Sequence, residues 1–233
     1  MPEEGQQPKK VLVITAHPDD PEFSAAGTIA QWTAMGWEVN YVLCTNGDKG
    51  SDDPDMTPAR LAKVREKEQR AAADVLGVKD VVFLGYPDGE LEESRDFLRD
   101  VVRQIRRFRP DLVLTSDPAR RYGWHHDHRV AGRVVLDAIF PYARDRLHLY
   151  ELLRDEGLQP HKVLQVYLSG SENPDTFVDI SSTFDKKIAA LRCHRTQIST
   201  EERFKMVREM AETWGKPQGI PLAEAFLRLE MRP

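Results

Sequence analysis

Four short apolar runs, each followed by a longer amphipathic stretch, constrain the fold of this chain more than any other feature. The runs lie at residues 10–15, 39–45, 81–84 and 112–116 and are rich in valine, leucine and isoleucine. Runs that are apolar on both faces are typical of strands in a parallel sheet, and the stretches between them carry apolar residues at helical spacing. Residues 1–140 therefore predict a parallel sheet covered by helices.

The remainder of the chain continues this pattern less regularly. Strands are predicted at residues 163–169 and 177–180, and helices at residues 183–193 and 201–214. A chain of 233 residues can bury one large core, and its sequence shows no linker or internal repeat. We therefore expect residues 1–233 to form one domain. Residues 1–140 would form its strand–helix core, and residues 141–233 would add the strands and helices that complete it. The expected fold class is α/β, a Rossmann-like three-layer sandwich with a mostly parallel sheet.

Composition argues against several classes of protein. The chain has 33 basic and 38 acidic residues, and its net charge of −5 argues against a dedicated nucleic-acid-binding protein. No apolar run approaches the roughly 20 residues of a membrane span. The N-terminal residues 1–10 are polar and lack the apolar core of a signal peptide. The two cysteines, Cys44 and Cys193, are too few for a disulfide scaffold, so we expect a cytoplasmic protein.

Two of the loops that follow predicted strands are rich in metal-binding side chains. In open parallel sheets, ligands bind beyond the carboxyl ends of the strands, where such loops converge. Three of the seven histidines lie in the loop after the fourth strand. The loop after the first strand offers His17, Asp19, Asp20 and Glu22, and the loop after the fourth offers His125, His126, Asp127 and His128.

Histidines and carboxylates in this arrangement predict a metal site. A catalytic Zn²⁺ takes three ligands of these types and keeps one position for water, although the same set also binds Fe²⁺. Taken alone, each loop has a simpler interpretation. Asp20 would cap a helix that begins near Ser24, and Asp127 would cap the helix after a solvated loop.

Several segments resemble the motifs of the LmbE-like (PIG-L) N-deacetylases. Residues 16–22, A-H-P-D-D-P-E, resemble the motif A-H-P-D-D-x-E, and residues 125–128, H-H-D-H, resemble H-x-D-H. Less specific similarities lie at residues 65–68 (R-E-K-E), 85–89 (G-Y-P-D-G) and 194–197 (H-R-T-Q). The resemblance covers most of the chain. The family includes deacetylases of N-acetylglucosaminyl-phosphatidylinositol, of mycothiol and bacillithiol precursors, and of chito-oligosaccharides.

The resemblance implies a role for each residue of the two main motifs. It assigns a zinc ion, or Fe²⁺ or another divalent metal, to His17, Asp20 and His128. It makes Asp19 the general base that takes a proton from water. It makes His125 the general acid or the residue that stabilises the oxyanion.

Two polar residues are candidate contacts with the substrate. The resemblance implies that Arg65 contacts the sugar, and Asp88, in the turn after the third predicted strand, would accept hydrogen bonds from sugar hydroxyls. The alternatives are a solvated helical arginine paired with an acid, and an aspartate that only forms a turn before Gly89. Trp124 would either stack on a sugar ring or form a hydrophobic lid.

Four further polar residues have less direct roles. Glu22 and Asp127 are expected to orient the metal ligands or the general acid. The family motif assigns no role to His126. His194 either reaches the site or is a core histidine with its hydrogen bonds satisfied.

The activity implied by the resemblance is zinc-dependent hydrolysis of the N-acetyl amide of an N-acetylglucosamine-type sugar or its conjugate. The products are acetate and a free amine, and the partner is a small molecule. One alternative is an amidase that cleaves a larger acyl amide, such as a thiol conjugate. The other is a sugar-binding protein without turnover. The sequence leaves open whether the chain forms a homo-oligomer.

Overall fold

The computed structural model describes residues 9–122 and 125–231. The first eight residues of the polar N-terminal segment and Trp124 lie outside the described residues. The strands are β1 (Lys10–Thr15), β2 (Glu38–Thr45), β3 (Asp80–Tyr86), β4 (Leu112–Ser116), β5 (Gln165–Ser169), β6 (Thr176–Asp179) and β7 (Ala223–Glu230). The helices are α1 (Asp20–Ala34), α2 (Pro58–Leu76), α3 (Arg95–Phe108), α4 (His126–Asp137), α5 (Tyr150–Glu156), α6 (Phe184–Leu191) and α7 (Glu201–Gly215).

All seven strands form one sheet in the order β3-β2-β1-β4-β5-β7-β6. The first five strands in this order pair in parallel, and β7 runs antiparallel to both of its neighbours. The α/β, mostly parallel, Rossmann-like fold predicted from the sequence is therefore confirmed. The strand order reverses between β1 and β4, the point at which such sheets bind ligands. The loops after these two strands consequently lie side by side.

Apolar layers cover both faces of the sheet. Leu12 and Ile14 of β1 pack in one cluster with residues of α3 and α4, whereas Val11 and Val13 pack in another with residues of α1 and α2. The β1 side chains from Val11 to Ile14 are at most 1% exposed. This burial on both faces explains why the run is continuously apolar.

The ends of the helices follow local rules that the sequence shows. The Thr57 hydroxyl accepts a hydrogen bond from the Arg60 N–H at 3.3 Å and caps the start of α2. Gly77 ends this helix in the left-handed conformation, with φ of +76°, which glycine adopts without steric cost. Ser94 caps α3 in the same way through the Phe97 N–H.

Some elements differ from their predicted bounds. The helix expected to begin near Ser24 begins instead at Asp20, because Asp19 adopts a left-handed conformation with φ of +85° and turns the chain at once. Pro21 fits in this first turn, where its missing N–H is not needed. The sequence analysis did not predict α5 or β7. Within the described ranges, none of the helices has both the length and the apolar character needed to cross a lipid bilayer.

Candidate metal centre and active site

Three side chains with metal-binding atoms converge at the carboxyl ends of β1 and β4. His17 Nδ1 lies 3.1 Å from His128 Nε2 and 3.6 Å from Asp20 Oδ2. The other oxygen of Asp20, Oδ1, lies 3.1 Å from His128 Nε2. His17 follows β1, Asp20 is the first residue of α1, and His128 lies in the first turn of α4. The strand order therefore brings together residues that are more than one hundred positions apart.

The surroundings of His17 fit a divalent cation. Its Nε2 lies 3.2 Å from Asp127 Oδ2 and 3.1 Å from Asp88 Oδ1, and ionised carboxylates only accept hydrogen bonds. The ring proton therefore belongs on Nε2, which leaves the Nδ1 lone pair facing His128 and Asp20. Two imidazole nitrogens and a carboxylate form a donor set that suits zinc.

The charges around His17 also favour a bound cation. Burial by itself lowers the pKa of His17, but hydrogen bonds with Asp127, Asp20 and Asp88 raise it to about 12. These carboxylates therefore favour a positive charge at the ring. A metal cation at Nδ1 would replace the second ring proton, because a metal ligand must be deprotonated.

Asp127 links the two motif loops to the turn after β3. It is fully buried and accepts hydrogen bonds from the Gly89 N–H at 2.7 Å and the Leu91 N–H at 3.3 Å, in addition to its contact with His17. Burial tends to raise the pKa of this carboxyl, but the hydrogen bonds from His17 and Gly89 lower it overall. The contacts are those expected of a residue that orients a metal ligand.

Asp19 and Asp20 are neighbours whose carboxylates have different partners. Asp19 Oδ2 lies 3.3 Å from Arg65 Nη2, whereas the Asp20 carboxylate faces the histidines. Arg65 also donates to the carbonyl oxygens of Pro18 at 2.7 Å and Gly47 at 3.0 Å, and it is only 4% exposed. The alternative of a solvated helical arginine is therefore wrong, and the described contacts of this guanidinium are with the loops around the site.

The environment of Asp19 suits a proton acceptor. Burial raises the pKa of Asp19 to about 7, although Arg65 opposes the rise and Asp20 adds to it. A carboxyl that titrates close to neutral pH is a stronger base than an ordinary aspartate. A nearby cation would lower this pKa and keep the carboxylate ionised.

His125 presents one ring nitrogen to the site. Its Nδ1 accepts a hydrogen bond from the Asp127 N–H at 3.2 Å, so the proton of the neutral ring belongs on Nε2. Nε2 lies 4.0 Å from Asp88 Oδ1, and the ring packs 4.4 Å from that of His17 between centroids. Burial, together with the neighbouring His17 and His128, lowers the pKa of His125. The ring is thus a half-exposed hydrogen-bond donor beside the metal-binding atoms.

Asp88 belongs to this site as well as to a turn. Its carboxylate, with the side chain 9% exposed, contacts His17 through Oδ1 and accepts from the Lys49 N–H at 3.4 Å through Oδ2. Burial tends to raise the pKa of Asp88, but the hydrogen bond from His17 lowers it overall. The alternative of a residue that only forms the turn is therefore wrong.

Three other polar residues do not join the metal-binding atoms. The buried Glu22 carboxylate bonds Gln69 and His194, so the expectation that it orients a metal ligand or His125 directly needs correction. His194 is a core histidine with 0% exposure, but its hydrogen bonds are not all satisfied, because Nδ1 has no partner among the described residues. His126 Nε2 lies 2.8 Å from the Leu91 carbonyl oxygen and anchors the start of α4. Sequence reasoning did not single out Gln69, because a glutamine inside a helix carries no motif.

A cavity of about 590 Å³ lies beside the cluster. Asp20, His125 and His128 line it, as do Met210 and Trp214 of α7. This volume is within the range of small-molecule sites, and the wall combines apolar side chains with a few polar groups. The second half of the chain therefore helps to form the site.

Residues 12–139 match the model of the PIG-L family, whose description is GlcNAc-PI de-N-acetylase. This stretch is more than half of the chain and contains both motif loops. The chain belongs to the PIG-L family. The resemblance seen in the sequence is thereby confirmed.

Three relatives extend the match beyond this stretch. The diacetylchitobiose deacetylase of Thermococcus kodakarensis is 35% identical over 222 residues, which cover 94% of this chain and 82% of that protein. The N,N′-diacetylchitobiose deacetylase of Pyrococcus horikoshii, solved with its inhibitor MPG, has a TM-score of 0.91 at 33% identity and covers 95% of this chain and 84% of its own. GalB, a 4-carboxy-2-hydroxymuconate hydratase of Pseudomonas putida, has a TM-score of 0.83 at 25% identity, with 97% and 98% covered. Because this fold also carries a hydratase, the reaction must be argued from the site.

Proposed function

We propose that this protein hydrolyses the N-acetyl amide of an N-acetylglucosamine-type sugar or its conjugate and releases acetate and a free amine. The observation that carries the proposal is the convergence of His17, Asp20 and His128, with the His125 ring packed against that of His17 and Asp19 next to Asp20 in the chain. The family description and the two diacetylchitobiose deacetylases support the substrate class.

The metal in this proposal is Zn²⁺, held by His17, Asp20 and His128. Fe²⁺ or another divalent ion fits the same donors, so metal analysis must accompany the assay. When bound, such an ion supplies Lewis acidity toward the amide carbonyl and the attacking water.

Asp19 would receive the proton of the attacking water. Its carboxylate is separate from that of Asp20, and Arg65 contacts it on the side of α2. The left-handed backbone at Asp19 separates the two carboxylates, so that one is free to bind the metal and the other to act as base.

His125 would stabilise the oxyanion that forms when water adds to the amide. Its Nε2–H is free to donate, because the Asp127 N–H occupies Nδ1. The departing amine needs a proton, and either Asp19 or His125 can supply it.

The substrate contacts proposed are Asp88 and Arg65. Asp88 Oδ1 lies 4.0 Å from Nε2 of His125, which lines the cavity, so a sugar hydroxyl held at His125 would lie near this carboxylate. Arg65 adjoins Asp19, so a hydroxyl that approaches this carboxylate also meets the guanidinium. The cavity volume accommodates more than an acetyl group and therefore leaves room for a conjugate or a longer acyl chain.

The proposal treats residues 1–233 as one cytoplasmic catalytic domain. Elements of both halves line the cavity, and both cysteines are free. The sequence left assembly into a homo-oligomer open, and sedimentation measurements would decide it.

The experiment that tests the function is acetate release from N-acetylglucosamine, diacetylchitobiose and an inositol glycoside of N-acetylglucosamine. Metal-stripped protein is assayed with and without added Zn²⁺, and an N-acyl analogue with a longer chain tests the larger-amide alternative. We expect zinc-dependent acetate release from at least one sugar. If only the longer acid is released, the protein is an amidase that acts on larger acyl amides and not an N-acetyl deacetylase. If the protein binds the sugar but releases no acid, and Asp19→Ala binds it equally well, the protein is a sugar-binding protein.

A further inference from the structure

A buried chain of hydrogen bonds connects the backbone of Asp19 to His194, on the far side of α1. The Asp19 N–H donates to Gln69 Oε1 at 2.9 Å. Gln69 Nε2 donates to Glu22 Oε1 at 3.0 Å and Oε2 at 3.1 Å, and His194 Nε2 lies 3.1 Å from Glu22 Oε2. The Glu22, Gln69 and His194 residues are all 0% exposed.

The two ends of one peptide unit are held by the same face of α2. The peptide bond between Pro18 and Asp19 presents its carbonyl oxygen to Arg65 Nη2 at 2.7 Å and its N–H to Gln69 Oε1 at 2.9 Å. Residues 65 and 69 are four apart and so are neighbours on one side of the helix. These two hydrogen bonds fix the plane of the peptide.

The peptide needs such a grip because Asp19 is in the left-handed region, with φ of +85°, which is unfavourable for a residue with a side chain. Strained conformations of this kind persist only where the surrounding structure determines them. Rotation of the peptide plane would change the direction of the Asp19 carboxylate and break its contact with Arg65.

The orientation of the Gln69 amide is set by Glu22. A carboxylate only accepts hydrogen bonds, so Glu22 selects the NH₂ group of Gln69 and turns its carbonyl oxygen toward the Asp19 N–H. His194 occupies the remaining side of the carboxylate as a donor. The Glu22 carboxylate therefore determines that Gln69 presents its carbonyl oxygen to the Asp19 N–H.

We propose that Gln69 is a positioning residue for the reaction, oriented by Glu22 and His194, and that it locks the Pro18–Asp19 peptide and thereby directs the Asp19 carboxylate. This inference rests on the proposed role of Asp19 as base. Gln69 is buried, and among the described residues its side chain bonds only Asp19 and Glu22. Its loss should therefore lower kcat and leave KM and metal content nearly unchanged.

A swap of two residues tests this geometry. Gln69→Glu sets a second carboxylate against Glu22 and should lower kcat by about 10- to 100-fold, because small displacements of a reacting group are costly. Adding Glu22→Gln restores one NH₂ group between the two side chains. It also leaves an oxygen for the His194 donor and an oxygen for the Asp19 N–H. The double variant should recover most of kcat.

Two controls separate positioning from folding. Gln69→Met removes the hydrogen bonds of this side chain and keeps its size similar. Gln104→Met is the same substitution at a buried glutamine of α3 whose Oε1 has no hydrogen-bond partner among the described residues. Only the first should lower kcat if the proposal holds. A kcat loss of equal size in both, or a swap variant no better than Gln69→Glu, would overturn it.

A measurement without turnover keeps the inference separate from the proposed function. The amide proton of Asp19, followed by NMR in the zinc-loaded protein, should exchange faster with solvent in Gln69→Met and return toward the wild-type rate in the swap variant. Unchanged exchange would refute the positioning role even if the enzyme were inactive on every substrate tried. If exchange follows this pattern but Asp19→Asn is fully active, Asp19 is not the base. The role of Gln69 in fixing the Pro18–Asp19 peptide would still hold.

Discussion

His17 of the loop after β1 and Asp127 in the first turn of α4 meet in a buried contact, with 3.2 Å between Nε2 and Oδ2. The contact joins the two motif loops independently of any metal. Because the Asp127 carboxylate only accepts hydrogen bonds, it places the ring proton of His17 on Nε2 and leaves Nδ1 available.

Replacing Asp127 with asparagine should weaken metal binding. The asparagine carries no negative charge beside His17 Nε2, and its NH₂ group must face the N–H of either Gly89 or Leu91, so it can no longer orient the His17 ring as the carboxylate does. We expect the Kd for Zn²⁺ to rise about 10- to 100-fold in a chelator competition titration. Asp137→Asn, on the exposed face of the same helix, is the matched control. A Kd equal to that of the wild type would contradict the orienting role of Asp127.

The two adjacent aspartates should fail in different ways. Asp20→Asn removes a proposed ligand and should lose zinc, whereas Asp19→Asn should retain zinc and lose kcat by about 10²- to 10⁴-fold. Metal content by elemental analysis and acetate release on the same samples separate the two effects. The division of roles would be refuted if both variants lost zinc equally.

The stability of the protein should depend on pH through His194. Burial by itself lowers the pKa of this histidine, but its hydrogen bond with Glu22 and the nearby Glu22 and Asp19 charges raise it above 6.5. Protonated His194 therefore stabilises the fold fully below pH 6.5, and this contribution is lost as pH rises through the folded-state pKa.

Urea unfolding of the wild type and His194→Gln at pH 6 and pH 9 measures this contribution. The other titrating groups are shared by both proteins, so the difference between their free energies of unfolding isolates His194. That difference should be larger at pH 6. A difference that is equal or larger at pH 9 would show that the ring is neutral in the folded protein.

A buried ion pair holds α1, α6 and β7 together. Lys187 Nζ lies 2.7 Å from Glu224 Oε1, and Glu224 also accepts from the Gly27 N–H at 3.0 Å and the Thr28 N–H at 2.8 Å. Lys187→Met leaves the carboxylate buried without its cation and should lower the free energy of unfolding by about 3–5 kcal/mol.

Adding Glu224→Gln should restore a large part of this loss, because the uncompensated charge disappears. Lys186→Met, at the exposed neighbouring position, should change the free energy by no more than about 0.5 kcal/mol. Chemical unfolding measures all three variants. Equal losses for the buried and exposed lysines would contradict this account of the pair.

Local patterns in the sequence were enough to predict the parallel sheet. A strand such as β1 must be apolar on both faces when helices cover both sides, and that requirement is visible in four consecutive runs. The strand β7 was missed although it alternates charged with apolar residues at every position but Phe226, which is a local signal of a strand. Only its place in the sheet, between β5 and β6, depends on distant partners.

The sequence by itself determined the residue types of the site and the edge of the sheet where they lie, because strand ends and motif spacing are local properties. Tertiary structure alone decided which atoms meet. Asp19 turns into the left-handed region, Arg65 and Gln69 grip its peptide, and Glu22 bonds Gln69 rather than a metal ligand. These contacts join α1 and the residue before it to α2. A hydrogen bond between two helices depends on how their surfaces pack, and the sequence of either helix alone does not determine that packing.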